Sequence, residues 1–448
     1  MDSTRQKQKI WHWVCWAILL GSFVCRMLYA DKVLYSVSPH DLNAVSDWTN
    51  IPDGHLGYIQ YLYQYRHLPD FSPIDYPSQY YHPPLFHLLA AIVMGFFDPI
   101  RNGNVTEALE CIQLVNMAVV SLIPLLGYLM LRRMGLTTWG LLSATTMLSF
   151  APPLFHLGAA LNNDGLMLVF LTLTCYFAIC WNQEPQMRTI IGMALSLALA
   201  MLCKTSAVLI APALACLFLY RLCTTPKGFQ KLWKQFLVFG LVSIPLGLSW
   251  VLRQWLLFQV PFSYVLEQGT DSFQYVGDCS MAVRFGLPSA TQWTSYRIDW
   301  DYAKDYANIW GQTFLSYAVD EAALHARVMK DYTDILWMIR GNLAVLVGGF
   351  VGMLIGFFNR QRDRGIRLLW LVSTLVFFGS YILFAIQQPF ICTMNFRYIG
   401  LLLIPLAWGW GEISERLSKK RIWINALLTL LLIGSGVFTC YAMLQYAI

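Results

Sequence analysis

Residues 81–91 read YHPPLFHLLAA, a histidine and two consecutive prolines followed by an apolar run. Proline is tolerated in the first turn of a helix but not in its interior, so this stretch predicts an extended entry into a short apolar helix near 85–97. His82 then lies at the rigid start of that helix. A histidine that is simply hydrogen-bonded at a turn fits the same pattern. With about 13 apolar residues the run is too short to cross a membrane, which favours a helix at the membrane interface.

The composition of the whole chain is that of a polytopic membrane protein. Hydrophobic residues make up 57% of the 448 residues and charged residues only 12%, against about 25% charged residues in soluble proteins. We therefore expect an all-α polytopic membrane protein, a single integral-membrane domain over residues 1–448, with about eleven transmembrane helices. The apolar runs lie near 10–30, 108–131, 137–157, 165–182, 190–203, 205–220, 235–252, 336–358, 368–386, 398–413 and 423–445.

Basic residues are concentrated in alternate connections between these runs, which predicts the orientation of the chain. They include Arg5, Lys7 and Lys9 before the first run, then Arg132, Arg133 and Arg188, and three groups at 221–234, 360–367 and 416–421. Because positive charge stays inside, the N-terminus is expected in the cytoplasm of a multi-pass plasma-membrane protein. The net charge of +6 follows from this bias, and no soluble segment has the pattern of a nucleic-acid-binding surface.

Two long polar connections, 31–106 and 253–335, fall on the same outer side in this topology. Within the first, residues 54–68 place tyrosines and leucines on one helical face and glutamines on the other, which predicts a second interfacial helix. A helix that only caps the bundle fits equally well. The second connection is rich in aromatic residues, and we expect it to bind substrate or to pack at the interface. A catalytic site is expected where these loops lie over the helix ends.

Ionisable and amide side chains collect near the outer ends of the predicted helices, where they are costly unless they have a function. They are His156, Asn162, Asn163, Asp164, Lys204, Arg253, Arg340 and Arg397. At about 1.5 Å per residue the run 190–203 rises only about 20 Å, so Lys204 is expected to stop below the surface and to face a lipid phosphate. For each arginine, extension of the side chain towards the lipid headgroups is the alternative.

Asp41 is the best candidate for a general base among the carboxylates of the first outer loop. Proton removal from a hydroxyl group needs a carboxylate held in a partly dry site. Asp41 follows His40 a short distance after the first helix, close enough to be held over the bundle. The other acidic residues of the loop have the pattern of ordinary turn carboxylates, and a solvated loop position is the alternative for Asp41 as well.

Six short motifs together resemble the GT-C glycosyltransferases, in particular the branch of the protein O-mannosyltransferases and the lipid A aminoarabinose transferase. They are PHDL at 39–42, GHLGYI at 54–59, YYHPPL at 80–85, NNDG at 162–165, KTS at 204–206 and NFRY at 395–398. The order of the motifs and the topology carry the resemblance over most of the chain. The HisProPro element and the outer-loop aspartate are its more specific parts.

The resemblance implies transfer of a sugar from a polyprenyl-phosphate-linked donor to a lipid, glycan or protein acceptor on the outer face of the membrane. An acidic residue after the first helix is the base in such enzymes, which gives this role to Asp41. Many relatives have Asp-Glu at this point, where this chain has Leu42 after the aspartate, so the second carboxylate is assigned to Asp164. No cofactor is then required, and a divalent metal ion held by Asp41 and Asp164 is the alternative.

The implied mechanism is a single displacement with inversion at the anomeric carbon. Asp41 removes the proton of the acceptor hydroxyl, while Lys204 and Arg397 stabilise the departing polyprenyl phosphate. The membrane lipids and the donor are the expected partners. The expected substrate-binding residues are His40, His55, Tyr81, His82, Asn163, Lys204, Arg253, Arg340, Arg397 and Tyr398.

Two functions of other classes stay open at this point. A transporter or flippase for lipid-linked sugars needs a similar bundle and a groove for headgroups. It should, however, carry polar groups through the midplane and have symmetric, broken helices, whereas here the polar residues collect at one face. A non-catalytic subunit that organises a larger complex is the second alternative.

Overall fold

The computed structural model describes residues 2–35, 54–76, 78–97, 104–266, 269–272, 274–288, 307–319 and 333–446. Over these ranges the secondary structure is helical, and the pairing of extended residues is limited to an isolated antiparallel bridge between Tyr275 and Phe390. The predicted all-α class is therefore confirmed.

The N-terminal part of the chain forms the first helices of the bundle and the turns that lead into it. The helices are α1 (Asp2–Lys32), α2 (Gly54–Tyr65), α3 (Leu85–Phe97), α4 (Val105–Val120), α5 (Leu122–Arg133), α6 (Thr138–Ser149), α7 (Pro152–Ala159), α8 (Asp164–Gln183) and α9 (Met187–Cys203). A 3₁₀ turn at Gln79–Tyr81 precedes α3, and another at Thr205–Ile210 follows α9.

The C-terminal part completes the bundle. Its helices are α10 (Ala211–Thr224), α11 (Gly228–Phe258), α12 (Met281–Phe285), α13 (Ile309–Ala318), α14 (Thr333–Phe358), α15 (Arg364–Gln387), α16 (Leu403–Lys420) and α17 (Ile422–Tyr446). Two 3₁₀ turns, Ile391–Thr393 and Phe396–Leu402, connect α15 to α16.

Nine helical segments within the described ranges are long and apolar enough to cross a membrane: Ile10–Lys32, Val105–Arg133, Asp164–Gln183, Thr205–Thr224, Gly228–Phe258, Ile335–Phe358, Arg364–Gln387, Ile391–Lys420 and Ile422–Gln445. The chain is polytopic as predicted, but the count of eleven is not confirmed. The run 137–157 is divided, because α6 ends at Ser149 and Pro152 begins α7. Helix α9 has 17 residues, or about 25 Å of helix, which is short of a membrane core of about 30 Å.

A buried arginine from α1 lies at the break between α6 and α7. Arg26 is 1% exposed, and its Nε donates to Ser121 Oγ at 2.9 Å while its Nη1 donates to the Ser149 carbonyl oxygen at 2.5 Å. Ser149 is the last residue of α6, where a cation opposes the negative end of the helix dipole. The run therefore folds as two helices joined at a buried cation instead of one continuous span.

One end of the bundle collects the basic connections. Arg362, between α14 and α15, donates to Glu412 Oε1 at 2.5 Å and to the carbonyl oxygen of Gly135 at 2.7 Å. Asn182, near the end of α8, donates to Asp363 Oδ1 at 2.8 Å. Four parts of the chain therefore meet at this end of the bundle: the α5–α6 turn, the end of α8, the start of α15 and the C-terminal part of α16. These are connections in which the sequence concentrates arginine and lysine.

Helix α2 is buried on both faces, which differs from the interfacial helix predicted over 54–68. Tyr58 and Gln60 are both fully buried, although they belong to opposite faces of the amphipathic pattern. The helix packs on α3, so it is covered by protein where the pattern predicted contact with lipid and water. It ends at Tyr65, because Arg66 takes a left-handed φ of 57°.

Helix α3 occupies the range predicted for it, 85–97. Phe96 and Ile92 are 83% and 60% exposed, whereas His87 and Met94 are fully buried. One face of α3 is therefore apolar and open, as for a helix in contact with lipid, and the other packs into the protein.

Candidate active site

A cavity of about 1080 Å³ lies at the end of the bundle away from Arg362, where α8 begins and α9, α11 and α15 end. Its polar lining includes His55, Gln79, Tyr81, His82, Asp164, Lys204, Thr205, Ser206, Gln254, Gln274, Gln388, Thr393, Arg397 and Tyr398. Its apolar lining includes Met167, Val208, Leu209, Trp250, Phe377, Phe384 and Phe390. The cavity therefore offers both charged groups and a hydrophobic wall.

Asp164, Lys204 and Arg397 form a charged group on the cavity wall. The Lys204 Nζ donates to Asp164 Oδ1 at 2.6 Å, and Arg397 Nη1 lies 3.8 Å from Asp164 Oδ2. The side chains of Lys204, Arg397 and Asp164 are only 15%, 10% and 5% exposed. Two positive charges and one negative charge leave a net positive charge in a largely dry site, which suits an anionic ligand.

The asparagines that precede Asp164 fix its position at the start of α8. Asn162 Oδ1 accepts a hydrogen bond from the Asp164 N–H at 3.1 Å, and Asn163 Nδ2 donates to the Cys203 carbonyl oxygen at 2.8 Å. Because Cys203 directly precedes Lys204, the Asn163 bond holds the two members of the ion pair in place relative to each other. Asn163 itself does not line the cavity.

The turn between α7 and α8 is held from α4. Asn116 Nδ2 lies 3.0, 3.0 and 2.8 Å from the carbonyl oxygens of Leu157, Gly158 and Ala160. A Cβ atom at Gly165 would lie 2.9 Å from the Leu157 carbonyl oxygen. The start of α8 thus approaches this turn more closely than a larger residue at 165 would permit.

Tyr398 provides an aromatic surface for both cations. The Lys204 Nζ lies 5.3 Å from the centroid of its ring and the Arg397 Cζ lies 5.1 Å from it. Arg397 Nη2 also donates to Tyr398 Oη at 3.2 Å. The backbone N–H of Arg397 donates to Asn395 Oδ1 at 2.9 Å, which fixes the start of this 3₁₀ turn. These contacts keep the ammonium and guanidinium groups next to one another despite their like charge.

Three histidine rings stack beside the charged group. The ring of His55 lies 5.4 Å from that of His82 and 5.2 Å from that of His87, with interplanar angles of 9° and 8°. His55 and His82 line the cavity, whereas His87 is fully buried behind them. Burial lowers the pKa of His87 well below its ordinary value. His55 also interacts electrostatically with Asp164, which links the stack to the ion pair.

Tyr81 is held on the cavity wall by residues of α11 and the chain after it. Trp250 Nε1 donates to the Tyr81 carbonyl oxygen at 3.0 Å, and the rings of Tyr81 and Tyr264 lie 5.6 Å apart. Tyr264 Oη in turn donates to the Pro73 carbonyl oxygen at 3.2 Å. The segment before the two prolines is therefore anchored from the connection that follows α11.

Arg253 and Arg340 do not line the cavity. Arg253 Nη2 donates to the Pro69 carbonyl oxygen at 2.7 Å, which ties α11 to the connection between α2 and α3. Arg340 is exposed, with its guanidinium 5.3 Å from the ring of Trp337, as for an arginine that extends towards headgroups. Two further candidates, His40 and Asp41, lie outside the described residues.

Sequence reasoning did not assign a role to His87, Asn116 or Trp250. His87 and Asn116 each interrupt an apolar run, and a polar residue in such a run is costly unless it has a partner. That was the signal available for these two residues. Trp250 gave no signal, because a tryptophan near the end of an apolar run is common in membrane helices.

The described residues do not by themselves form a metal site. Within these ranges no three side chains of His, Cys, Asp or Glu come together as ligands. Asp164 Oδ1 is already bonded to Lys204, and the other member of the predicted metal pair, Asp41, lies outside the described ranges. Within the described ranges, the partner of Asp164 Oδ1 is therefore the Lys204 ammonium group.

A family model described as dolichyl-phosphate-mannose-protein mannosyltransferase matches residues 81–250. This range begins at the YHPP segment and includes Asp164 and Lys204. No curated protein matches the chain significantly.

Solved structures with a similar fold include the oligosaccharyltransferase of Archaeoglobus fulgidus in the apo form, at a TM-score of 0.53 and 13% identity over 96% of this chain and 56% of that chain. The same protein in complex with Zn and sulfate matches at a TM-score of 0.52 and 14% identity, over 95% of this chain and 53% of that chain. ArnT from Cupriavidus metallidurans bound to undecaprenyl phosphate matches at a TM-score of 0.38 and 12% identity, over 91% of this chain and 81% of that chain. The fold assignment therefore depends on the oligosaccharyltransferase, of which this chain spans about half the length. The chain has the helical fold of that protein, and the resemblance to the GT-C glycosyltransferases that its motifs predicted is confirmed.

Proposed function

We propose that the chain is a glycosyltransferase that moves a sugar from a polyprenyl-phosphate donor to an acceptor on the outer face of the plasma membrane. The observation that carries the proposal is the net positive group of Lys204, Arg397 and Asp164 on the wall of the cavity. The family model over 81–250 supports it, because its description names a donor in which a sugar is linked to a lipid phosphate.

The charged group has the chemistry needed to hold a phosphate and to stabilise it as a leaving group. Arg397 offers a planar guanidinium and Lys204 a compact ammonium, and both bind phosphate oxygens well. In a largely dry site such donors stabilise charge more strongly than in water, and they need no rearrangement when the charge develops. The negative charge that appears on the phosphate during transfer is thus met by groups already in place.

The hydrophobic wall of the cavity suits the polyprenyl chain of the donor. Phe377 and Phe384 of α15, together with Val208 and Leu209 of the 3₁₀ turn after α9, line the cavity beside the cations. A ligand with an anionic head and an apolar tail can therefore satisfy both parts of the site. The soluble nucleotide sugars that serve many other transferases would leave this apolar wall exposed to water.

In the proposed reaction the acceptor hydroxyl attacks the anomeric carbon while its proton passes to Asp41. The bond between the anomeric carbon and the phosphate oxygen breaks, its electron pair stays on the oxygen, and polyprenyl phosphate leaves. A single displacement inverts the anomeric centre. The role of general base is given to Asp41 because of the resemblance to the GT-C glycosyltransferases. The sugar that we propose is a mannose-type hexose, because the description of the family model names mannose.

No obligatory metal ion is part of the proposal. If a divalent ion does take part, Asp41 and Asp164 are the residues that would hold it, and it would neutralise phosphate charge beside Lys204 and Arg397. Treatment with a chelator should leave turnover unchanged. Loss of turnover that Mg²⁺ or Mn²⁺ restores would contradict this part of the proposal.

The test is transfer by the purified protein in lipid nanodiscs, with radiolabelled polyprenyl-phosphate mannose as donor and extracted envelope lipids, glycans or peptides as acceptors. The expected result is labelled product and free polyprenyl phosphate, and Lys204→Gln should lower turnover at least about a hundredfold. Lys419→Gln is the matched control, because Lys419 is exposed at the far end of the bundle. Movement of intact labelled lipid between leaflets in proteoliposomes, without transfer to any acceptor, would identify a flippase instead.

A further inference from the structure

The uncharged part of the cavity lining contains four glutamines within the described residues: Gln79, Gln254, Gln274 and Gln388. A glutamine amide carries no charge, and it has both donors and acceptors of hydrogen bonds. The hydroxyl groups of a sugar have the same mixed character, whereas the oxygens of an ionised phosphodiester only accept. This part of the lining therefore suits the sugar of the proposed donor, as the cations suit its phosphate.

Gln274 is held by backbone hydrogen bonds to the connection between α15 and α16. The Ile391 N–H donates to the Gln274 carbonyl oxygen at 3.0 Å, and the Val276 N–H donates to the Pro389 carbonyl oxygen at 2.9 Å. These two bonds flank the isolated antiparallel bridge of the fold. The backbone of Gln274 is therefore attached to the segment that leads directly to Arg397.

The side chain of Gln274 is oriented by another contact with the same segment. Its Oε1 accepts a hydrogen bond from the Cys392 backbone N–H at 3.2 Å. A backbone N–H only donates, so the amide oxygen must lie on this side and the amino group on the other. Among the residues that the structure describes, the Nε2 amino group has no hydrogen-bond partner. Gln274 is half-buried and lines the cavity, so its two N–H donors are available to a ligand.

Gln274 also lies near the cations that would hold the phosphate. Cys392, to which it is bonded, lines the cavity too, and the thiol of Cys392 interacts electrostatically with Tyr398. The ring of Tyr398 has the Lys204 Nζ at 5.3 Å and the Arg397 Cζ at 5.1 Å from its centroid. A sugar joined directly to a phosphate at these cations occupies the cavity next to them, where the wall offers hydrogen bonds.

We propose that Gln274 is a specificity-determining residue whose Nε2 donates a hydrogen bond to a hydroxyl oxygen of the donor sugar. The proposal rests on the proposed function for the identity of the donor. A sugar hydroxyl group that enters the cavity gives up water, and it recovers a hydrogen bond only where the wall supplies a partner. An uncharged amide supplies this partner to a neutral hexose, but it offers no counter-charge to a sugar with an ammonium group.

The decisive variant is Gln274→Met, which keeps the length of the side chain and removes the amide. Gln387→Met is the matched control, because Gln387 is exposed and lies outside the cavity. Binding is measured with the full-length protein in nanodiscs for two lipids. The first is polyprenyl-phosphate mannose, and the second is polyprenyl phosphate without a sugar.

The expected result is a loss of affinity that depends on the sugar. In Gln274→Met the dissociation constant of polyprenyl-phosphate mannose should rise about tenfold, as expected when a hydrogen bond to the ligand is lost. The dissociation constant of polyprenyl phosphate should not change, and Gln387→Met should bind both lipids as the wild type does. Unchanged affinity of Gln274→Met for the mannose lipid would overturn the proposal. Equal loss for both lipids would also overturn it, because Gln274 would then act only by holding the segment that leads to Arg397.

A second measurement uses the wild-type protein and does not depend on the folding of a variant. The donors carry mannose that lacks one hydroxyl group, at C2, C3, C4 or C6. One of them should bind about tenfold less well than the mannose donor, because the Nε2 donor is left without its acceptor. In Gln274→Met this deoxy donor and the mannose donor should bind equally, since the two losses concern the same bond. Equal binding of all deoxy donors by the wild type would overturn the proposal.

The preference for a neutral hexose is tested at the same carbon of the sugar. An ammonium group only donates hydrogen bonds, so it cannot accept one from Nε2 of Gln274. A donor with an ammonium group in place of the identified hydroxyl should therefore bind the wild type no better than the deoxy donor. Tighter binding of this amino sugar than of mannose would overturn the assignment of the sugar class.

These measurements separate the role of Gln274 from the proposed function. A protein that shows the sugar-dependent loss in Gln274→Met but transfers no sugar to any acceptor would disprove glycosyl transfer and leave the recognition of the sugar intact. A protein that transfers sugar while Gln274→Met keeps the wild-type affinity for the mannose donor would disprove the role of Gln274 and leave the transferase intact.

Discussion

Lys204 and Asp164 are joined by a 2.6 Å hydrogen bond between Nζ and Oδ1, although the two residues lie 40 positions apart in the sequence. The bond connects the first residue of α8 to the residue that follows α9, so it fixes the hairpin of these two helices at the cavity. It also places a carboxylate where the phosphate of the proposed donor would bind. We therefore expect the phosphate and the Asp164 carboxylate to compete for the same ammonium group.

Asp164→Asn should separate the stabilising effect of the ion pair from the competition between the Asp164 carboxylate and the phosphate. Removal of the carboxylate leaves Lys204 and Arg397 without a counter-charge in a largely dry site, and the ligand-free protein should lose about 3 kcal/mol of stability. Undecaprenyl phosphate should then bind more tightly than in the wild type and raise the melting temperature by a larger amount. Thermal unfolding with and without this lipid measures both changes.

The matched control for that variant is Glu184→Gln, which removes an exposed carboxylate at the other end of α8. It should change neither the stability nor the effect of the lipid. Weaker binding of undecaprenyl phosphate in Asp164→Asn would show that the carboxylate helps to hold the ligand, for example through an ion, and does not compete with it.

Asp41→Asn should abolish sugar transfer while it leaves binding of the lipid donor nearly unchanged, because the proposed base acts on the acceptor and not on the phosphate. A general base contributes about a hundredfold to ten-thousandfold in rate, so residual turnover should be at or below about 1%. Single-turnover transfer and donor binding, measured on the same preparation, test this. Retained turnover in the purified variant would remove Asp41 from the mechanism.

Asn116→Ala should reduce turnover although Asn116 lies outside the cavity. The amide contacts three carbonyl oxygens of the turn before α8, and its loss leaves buried acceptors unsatisfied at a cost of about 2 kcal/mol. The start of α8 also holds Lys204 in place through the bond of Asn163 to the Cys203 carbonyl oxygen, so Lys204 should then be less well placed to stabilise the leaving phosphate, and kcat should fall more than the affinity for donor. Val115→Ala, at an exposed neighbouring position, is the control. Equal kcat in the two variants would contradict this role.

Arg362→Gln should destabilise the protein without a direct effect on the chemistry. Arg362 contacts both Glu412 and Glu415, and its removal leaves two poorly exposed carboxylates without their counter-charge, at a cost of about 3 kcal/mol or more. Turnover per folded molecule should stay at the wild-type value, because the cavity lies at the other end of the bundle. Arg360→Gln, at an exposed position two residues away, should leave the melting temperature unchanged.

Much of the fold followed from hydrophobicity and from the distribution of charge. Apolar runs of sufficient length identify membrane helices because every backbone group must be satisfied inside the bilayer. The same cost explains why the polar residues Asp164, Lys204 and Arg397 could be selected before their positions were known. The structure places these three side chains on one cavity.

The features of the fold and of the site that the sequence patterns did not predict depend on contacts between distant elements. The run 137–157 has the length of a span, and only the contact of Arg26 with the Ser149 carbonyl shows where it divides. The amphipathic pattern of α2 predicts a surface, but it does not say that α3 covers part of it. The bond between His55 and His87 joins residues 32 positions apart, and neither residue indicates the other in the sequence.

The buried arginine of α1 also constrains how the chain is made. The ribosome synthesises Arg26 95 residues before Ser121 and 123 residues before Ser149, which are its two hydrogen-bonding partners. A lone arginine opposes insertion of an apolar helix by roughly 2.5–3.5 kcal/mol. We therefore expect the first helix to remain beside the protein-conducting channel during translation, and to take its final place only after α6 has emerged.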